Sequence, residues 1–112
     1  MKTAITIAIL LGSSIAGRAQ QIDVDTAAQL NSTCHSTDSI NKVMCYGTVT
    51  GIVAGLDLPQ AFNKQPSCRP DTLTREQTVE IFEVHMIKHP EQAQYPAAAS
   101  VLLALAEAFP CK

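Results

Sequence analysis

The chain has 112 residues, a formal net charge of −2 and four cysteines, but no tryptophan. That length is enough for one domain, and the charge balance provides no basic surface for nucleic acid or anionic lipid. An even number of cysteines in a short exported chain is typical of a disulfide framework in an oxidising compartment. These features favour a small binding protein over an enzyme.

The N-terminus has the organisation of an export signal. Lys2 precedes an apolar run over residues 4–15, and small residues at Gly17 and Ala19 suit a cleavage site after Ala19. Cleavage after Ala16 is the weaker alternative. A retained anchor would need roughly 20 apolar residues, more than this run provides. We therefore expect a cleaved signal peptide over residues 1–19, export to the periplasm, and a single domain over residues 20–112.

The exported domain is mildly acidic. Removal of Lys2 and Arg18 leaves six basic against ten acidic side chains, which gives a formal charge of −4. Aromatic residues are scarce, so the core must be aliphatic and rich in alanine. Two disulfides would compensate for the small core of a domain of this size.

The periodicity predicts helices almost throughout, with no alternating strand pattern. The first helix is expected over residues 25–34, with Asp23 or Asp25 as its cap. The second is expected to begin near Asp38 or Ser39 and to end at Leu58, because Pro59 cannot continue the backbone hydrogen bonds. Residues 59–72 then form the longest loop.

Two further helices complete the predicted all-α, four-helix domain. Thr74 and Gln77 fit a capping box that opens the third helix, which stops before Pro90. Its expected buried side chains are Val79, Phe82, Met86 and Ile87. Pro96 suits the first turn of a fourth helix that runs to about Phe109.

The second helix carries three glycines, Gly47, Gly51 and Gly55, at intervals of four residues and therefore on one face. Each glycine costs an isolated helix about 1 kcal/mol relative to alanine, so close packing should offset that cost. Packing against the fourth helix is the favoured interpretation. An interface with a second copy of the protein is the alternative, and the stretch is too short to span a membrane.

Four cysteines allow three pairings, and the sequence by itself cannot choose among them. The pairing that we adopt joins Cys34 to Cys45, which clips the first helical hairpin, and Cys68 to Cys111, which ties the long loop to the end of the chain. On the chain-entropy model these links contribute roughly 3 and 4 kcal/mol, respectively.

No cofactor or metal is expected. His85 and His89 share a helical face, but no glutamate follows His85 as in the His-Glu-x-x-His motif, and no third ligand is evident. The cysteines also lack the close spacing of structural zinc sites. His89 before Pro90 is more simply a C-terminal helix residue that interacts favourably with the helix dipole.

Catalytic motifs are also missing from the sequence. A nucleophilic cysteine would have to stay reduced beside a histidine base. Cys34 and His35 are adjacent, so on a helix they point in different directions. No Gly-x-Ser-x-Gly elbow, phosphate-binding glycine loop or paired-carboxylate motif occurs. Asp57, at the end of an apolar helix, is expected to face solvent or to cap the loop that follows.

The order of several motifs resembles the Rap/Tai immunity proteins of type VI secretion. The resemblance begins with Cys45-x-Gly47-x-x-x-Gly51 and covers nearly all of the exported chain. The motifs that continue it are Asp57, Cys68-x-Pro70, Thr72-Leu73, Gln77, His89-Pro90-Glu91, Pro96-Ala97, Ala104-Leu105 and Ala108-Phe109-Pro110-Cys111. The chain departs from the family at Thr48, where an aromatic residue is usual, and has Tyr46 before the glycine instead.

The resemblance implies a helical periplasmic protein, commonly a homodimer, that blocks the cleft of a peptidoglycan amidase delivered by a neighbouring cell. Our candidate contact segment is the turn between the third and fourth helices, because loops carry function on a rigid scaffold. Its candidate residues are His89, Glu91, Gln92, Gln94 and Tyr95, with the third-helix face of Arg75, Glu76, Glu80 and Glu83 beside them. An ordinary solvated turn is the simpler interpretation.

Two other functions remain open at this point. One is a small periplasmic structural or signalling protein, since function is carried by sites and not by the fold. The other is an acid-responsive chaperone, for which the cluster Glu76, Glu80 and Glu83 would supply the titrating carboxylates. A solvated helix face explains these glutamates equally well.

Overall fold

Four helices account for most of the domain, as the sequence predicts. The computed structural model describes residues 21–63 and 68–112, and the side chains of residues 58–63 are not included. The helices are α1 (Ala27–His35), α2 (Ser39–Asn63), α3 (Arg75–Lys88) and α4 (Ala97–Ala108), with one 3-10 turn at Pro90–Gln92. The described ranges hold no β-strand, apart from an isolated bridge between Thr26 and Pro96. The expected signal peptide lies outside these ranges.

The first helix starts later than predicted because a different residue caps it. Thr26 is the N-cap: its hydroxyl accepts a hydrogen bond from the Gln29 amide, and the Gln29 side chain accepts from the Thr26 amide. The prediction of Asp23 or Asp25 as the cap was wrong. The capping box satisfies two backbone donors with one pair of side chains, which neither aspartate can do at its position.

The second helix continues beyond the residue that was expected to end it. It runs to Asn63, so Pro59 lies inside the helix and the prediction of a stop at Leu58 was wrong. A proline removes one backbone donor and crowds the carbonyl four residues earlier. That carbonyl belongs to Gly55. The helix nevertheless continues through the turns on both sides of Pro59. Residues 59–63 of the predicted loop are therefore helical.

The third and fourth helices agree closely with the prediction. Thr74 and Gln77 form the expected capping box, and α3 ends at Lys88 before Pro90. Ile87 was predicted to be buried but is 76% exposed, because it lies on the opposite side of α3 from Phe82 and Met86. Pro96 occupies the cap position of α4.

The core is aliphatic and small, and every helix contributes to it. Phe82 is the one fully buried aromatic side chain in the described ranges, and Leu30, Val49 and Val101 surround it. The remaining buried apolar residues are Ala27, Cys45, Val79, Met86, Ala97, Ala104 and Leu105. The alanines let the four helices pack closely around one continuous core.

Both predicted disulfides are present. Cys34 pairs with Cys45 across 5.0 Å between Cα atoms, and Cys68 pairs with Cys111 across 5.3 Å. Cys45 is buried within the core, whereas both cysteines of the second disulfide are exposed. The first link is therefore part of the packing, and the second fastens the end of the chain from outside.

Asp57 has a specific partner instead of a purely solvent-facing role. The Arg69 guanidinium donates to both of its carboxylate oxygens, which joins α2 to the segment that holds Cys68. A bidentate pair of this kind fixes the direction of both side chains. None of the helices in the described ranges is long and apolar enough to cross a membrane.

Candidate functional site

None of the described residues packs against the α2 glycines. A Cβ atom built on Gly47, Gly51 or Gly55 meets nothing within 4 Å among the described residues. The favoured interpretation, that this face packs against α4, was therefore wrong. The core-facing side of α2 is the opposite one, which carries Cys45 and Val49.

The glycines belong to a continuous exposed surface, which we call the α2 open face. Its members recur three and four residues apart and none is charged. They are Ile40, Val43, Met44, Gly47, Thr50, Gly51, Ala54 and Gly55. Val43 is 70% exposed, whereas an apolar side chain in a packed core is largely buried. Tyr46 is not on this face, because it packs against the core and under the Arg75 guanidinium, 5.5 Å from its ring centre.

The segment between α3 and α4, here called the 89–95 loop, is fixed by backbone hydrogen bonds to α1. The Ala27 amide donates to the Tyr95 carbonyl and the Ala28 amide donates to the Ala93 carbonyl, each at 2.9 Å. The Ala97 amide in turn donates to the Asp25 carbonyl at 2.8 Å. The first amides of a helix have no partner within the helix, so the loop supplies what the start of α1 lacks.

Four of the five predicted contact residues of the loop are at least partly exposed, and one is buried. Glu91, Gln94 and Tyr95 are exposed, and His89 is partly exposed. Gln92 is only 8% exposed, so it cannot contact a partner directly and that part of the prediction was wrong. Its side-chain oxygen accepts hydrogen bonds from the His85 ring and the Ser100 hydroxyl inside the domain.

Beside the loop lies a group of polar residues that we call the His–Glu cluster: His85, His89 and Glu107. The Oε2 atom of Glu107 is 3.1 Å from Nδ1 of His85 and 2.7 Å from Nε2 of His89. The two imidazole rings are 4.3 Å apart between centres. The sequence offered no third residue beside the two histidines, and the fold supplies one from α4.

Glu107 was missed because sequence spacing does not show the packing of α4 on α3. The only signal was a single charge within an apolar, alanine-rich helix. That signal does not identify a partner, since an exposed glutamate is ordinary on any helix. Gln92 was predicted as a partner contact and not as a buried hydrogen-bond acceptor, and Ser100 gave no signal.

Hydrogen bonding shifts the titration of the exposed members of this region. The hydrogen bond from Glu107, followed by that from Glu91, raises the pKa of His89 above its ordinary value. The same bond with His89 lowers the pKa of Glu107. A backbone hydrogen bond lowers the pKa of Glu91, with His89 adding to the effect. The charged forms of all three groups are therefore favoured together.

The structure offers no cysteine nucleophile, because all four cysteines are in disulfides. The His35 ring, considered as a base for a cysteine, is bound elsewhere: its Nδ1 atom lies 2.8 Å from the Asn31 carbonyl oxygen.

The three glutamates proposed as an acid sensor line one cleft beside the Cys34–Cys45 disulfide, but their individual contacts differ. Glu76 contacts Arg75 at 3.1 Å, and Glu83 lies 3.9 Å from the His35 ring. A backbone hydrogen bond and then the Arg75 contact lower the pKa of Glu76. A carboxyl that takes up a proton in mild acid would need a raised pKa, so the shift at Glu76 has the opposite direction.

Comparison with known proteins identifies a family but no individual relative. The model of the Rap1a immunity proteins matches residues 26–111, which is nearly all of the domain from the α1 cap to the last cysteine. Searches of curated proteins and of solved structures give no match to this chain.

Proposed function

Since the chain belongs to the Rap1a immunity protein family, we propose that it is an exported protein that binds and blocks a toxic effector of type VI secretion. The effector class that we propose is a peptidoglycan amidase, and the place of action is the periplasm. Two disulfides support an oxidising compartment. Binding of this kind would protect the producing cell from its neighbours.

The observation that carries the proposal is the rigid 89–95 loop. Its carbonyls are held by the first amides of α1, and buried Gln92 fixes its centre from below. A loop that is already ordered loses little conformational entropy when it binds. It therefore suits a protein that must occupy the cleft of a toxin tightly.

The exposed side chains of the loop match the requirements of such a contact. Tyr95 offers a large aromatic surface with a hydrogen-bonding hydroxyl, a combination that is enriched among residues that dominate binding energy. Glu91 and Gln94 offer polar groups on either side of the buried Gln92. Direct contact with the effector is proposed for His89, Glu91, Gln94 and Tyr95.

Calorimetry tests this proposal directly. The oxidised protein is titrated with a candidate peptidoglycan amidase effector of type VI secretion, and hydrolysis of cell wall is measured in the same mixtures. Tyr95→Ala is expected to weaken binding by about tenfold or more, as for an aromatic anchor. Leu103→Ala is the matched control, because Leu103 and Tyr95 are both 43% exposed but lie on different surfaces. Failure of the folded protein to bind the effector contradicts the proposal.

The second surface, the α2 open face, supports the proposal of a homodimer. An uncharged stripe of apolar and small residues is typical of a helix that packs against another chain. The glycines leave open space, so a second helix would meet backbone instead of side chains. This assignment is separate from the effector contact and has its own test.

Sedimentation of two charge variants tests whether the α2 open face forms a dimer interface. Val43→Glu places a carboxylate in the proposed interface and is expected to yield monomers. Ile87→Glu places the same charge on an equally exposed apolar position of α3 and should leave the dimer intact. A wild-type protein that is monomeric at high concentration, or a dimer that survives Val43→Glu, would remove the homodimer from the proposal.

A further inference from the structure

The His–Glu cluster has features that a solvated group of charges does not need. His85 is 4% exposed, yet its ring faces acceptor oxygens from both of its nitrogens. His89 also has an oxygen on each side, from Glu91 and from Glu107. Four acceptor contacts on two rings require hydrogens or a cation to lie between them.

The outer contacts fix which nitrogen of each ring points inward. Nε2 of His85 lies 2.9 Å from Oε1 of Gln92, an oxygen that also accepts from the Ser100 hydroxyl and therefore requires a donor. Nδ1 of His89 lies 3.1 Å from Oε1 of Glu91, which is likewise an acceptor. With a hydrogen on each of these outer nitrogens, an inner nitrogen that gives up its own hydrogen presents a lone pair to a metal ion.

The two inner lone pairs converge on one carboxylate. Nδ1 of His85 and Nε2 of His89 both face Oε2 of Glu107, and one ligand atom from each of the three residues lies within 4.8 Å of the others. Two imidazole nitrogens and a carboxylate oxygen form a ligand set that zinc uses where one coordination position stays open. The second nitrogen of each ligating histidine is usually held by an outer acceptor, as Gln92 and Glu91 do here.

We propose that His85, His89 and Glu107 form a binding site for a first-row divalent cation, with zinc as the expected ion. Metal–nitrogen bonds of about 2.0 Å in tetrahedral geometry require ligand atoms roughly 3.3 Å apart. The two ring nitrogens, which lie within 4.8 Å of each other, must therefore reach that spacing, and the carboxylate of Glu107 must move back by a few tenths of an ångström. Its side chain is exposed and flexible, whereas the two histidines are held by their outer contacts.

Lys88 contacts Glu107, and its positive charge opposes a bound cation. Its Nζ atom lies 3.7 Å from Oε1 of Glu107, but the side chain is largely exposed and can turn into solvent. Entry of an ion is open from the cleft between α3 and α4, which is lined by Glu80, Val84, Lys88 and Glu107 among others. An ion in this position would fasten the 89–95 loop to both helices.

The test is a titration of the metal-free, oxidised protein with zinc chloride, followed by calorimetry and by nitrogen chemical shifts of the histidines. One zinc per chain is expected, with metal on Nδ1 of His85 and on Nε2 of His89. His89→Ala and Glu107→Gln should each weaken binding by about tenfold or more. Circular dichroism confirms that each variant is folded.

Two further variants keep the result decisive. His35→Ala removes the exposed histidine of α1 that lies near Glu83, and it should leave zinc binding unchanged. Lys88→Met removes the opposing charge and should strengthen binding, an effect that a damaged fold cannot produce. No zinc binding by the wild type, binding that is unaffected by both ligand variants, or binding that is lost in His35→Ala would overturn the proposed site.

Discussion

The 89–95 loop and the α2 open face are both available to a partner, but the chain builds them in opposite ways. The loop is polar and is connected to the rest of the domain by backbone and buried side-chain hydrogen bonds. The open face is apolar, and its glycines touch nothing in the described chain. Substitutions that loosen the loop should therefore change the isolated protein, whereas those on the face should act mainly through what it binds.

The largest effect is expected from Gln92→Leu. This change leaves the buried His85 ring and the Ser100 hydroxyl without an acceptor, at a cost of about 1–3 kcal/mol for each group. Chemical denaturation should show a loss of about 3 kcal/mol in the free energy of unfolding. The matched control is Gln94→Leu at an exposed position of the same loop, which should change stability little. Equal effects of the two variants would show that Gln92 does not hold the loop.

A pair of cap variants separates loop order from helix stability. Thr26→Ala and Thr74→Ala remove the same capping box from α1 and α3, so each should cost about 1 kcal/mol. Only the start of α1 holds the loop carbonyls, at Ala93 and Tyr95. Hydrogen exchange should therefore speed up for the Tyr95 amide, which donates to the Gln92 carbonyl, in Thr26→Ala alone. The same exchange rates in both variants would contradict the role of α1 in ordering the loop.

Gly51→Ala should raise the free energy of unfolding, whereas the loop and cap variants should lower it. Nothing in the described chain lies within 4 Å of the added methyl group, and alanine favours the helix by about 0.5–1 kcal/mol. Thermal denaturation of dilute monomer should therefore show a more stable protein. Gly51→Leu should weaken the proposed dimer in sedimentation, because its larger side chain would separate the two facing helices. A monomer that is destabilised by Gly51→Ala would mean that the face is covered from within.

The smallest effect concerns pH and the contact between His89 and Glu107, studied with a chelator present. The raised pKa of His89 contributes stability that is present below its ordinary value of 6.5 and is lost as pH rises through the folded value. The lowered pKa of Glu107 contributes stability that is present above its ordinary value of 4.5 and is lost as pH falls through the folded value. Both contributions overlap between these two values.

Glu107→Gln should therefore destabilise the protein more at pH 5.5 than at pH 8.5, as urea denaturation at the two pH values would show. Glu107 also faces the His85 ring and the Lys88 side chain. Glu80→Gln on α3 is a suitable control, since Glu80 forms no ion pair in the described ranges. A loss that is the same at both pH values would exclude histidine charge as its cause.

Local chemistry was sufficient to predict much of the fold. The Thr74 and Gln77 pair identified the start of α3, Pro90 its end, and Pro96 the start of α4, because each acts through neighbours in the chain. The order of the motifs also indicated the family that the comparison now shows. The chosen disulfide pairing was correct, although the sequence left three possibilities open.

Apart from the α1 cap, where the local pair of Thr26 and Gln29 was overlooked, the wrong predictions depended on the packing of one element on another. Pro59 did not end α2, and the glycines of α2 turned away from the core although their spacing correctly placed them on one face. Gln92 looked like any polar loop residue until His85 and Ser100 were seen to surround it.

The sequence by itself determined the four helices, both ends of α3, the start of α4 and the family, because helix periodicity, caps and prolines act over a few residues. Only the tertiary structure decided which side of α2 faces outward, which loop side chains are exposed, and which group meets the two histidines. Glu107 follows His89 by 18 residues along the chain, yet its carboxylate is 2.7 Å from the ring. A contact of that kind depends on how α4 lies against α3, and no spacing in the sequence specifies that geometry.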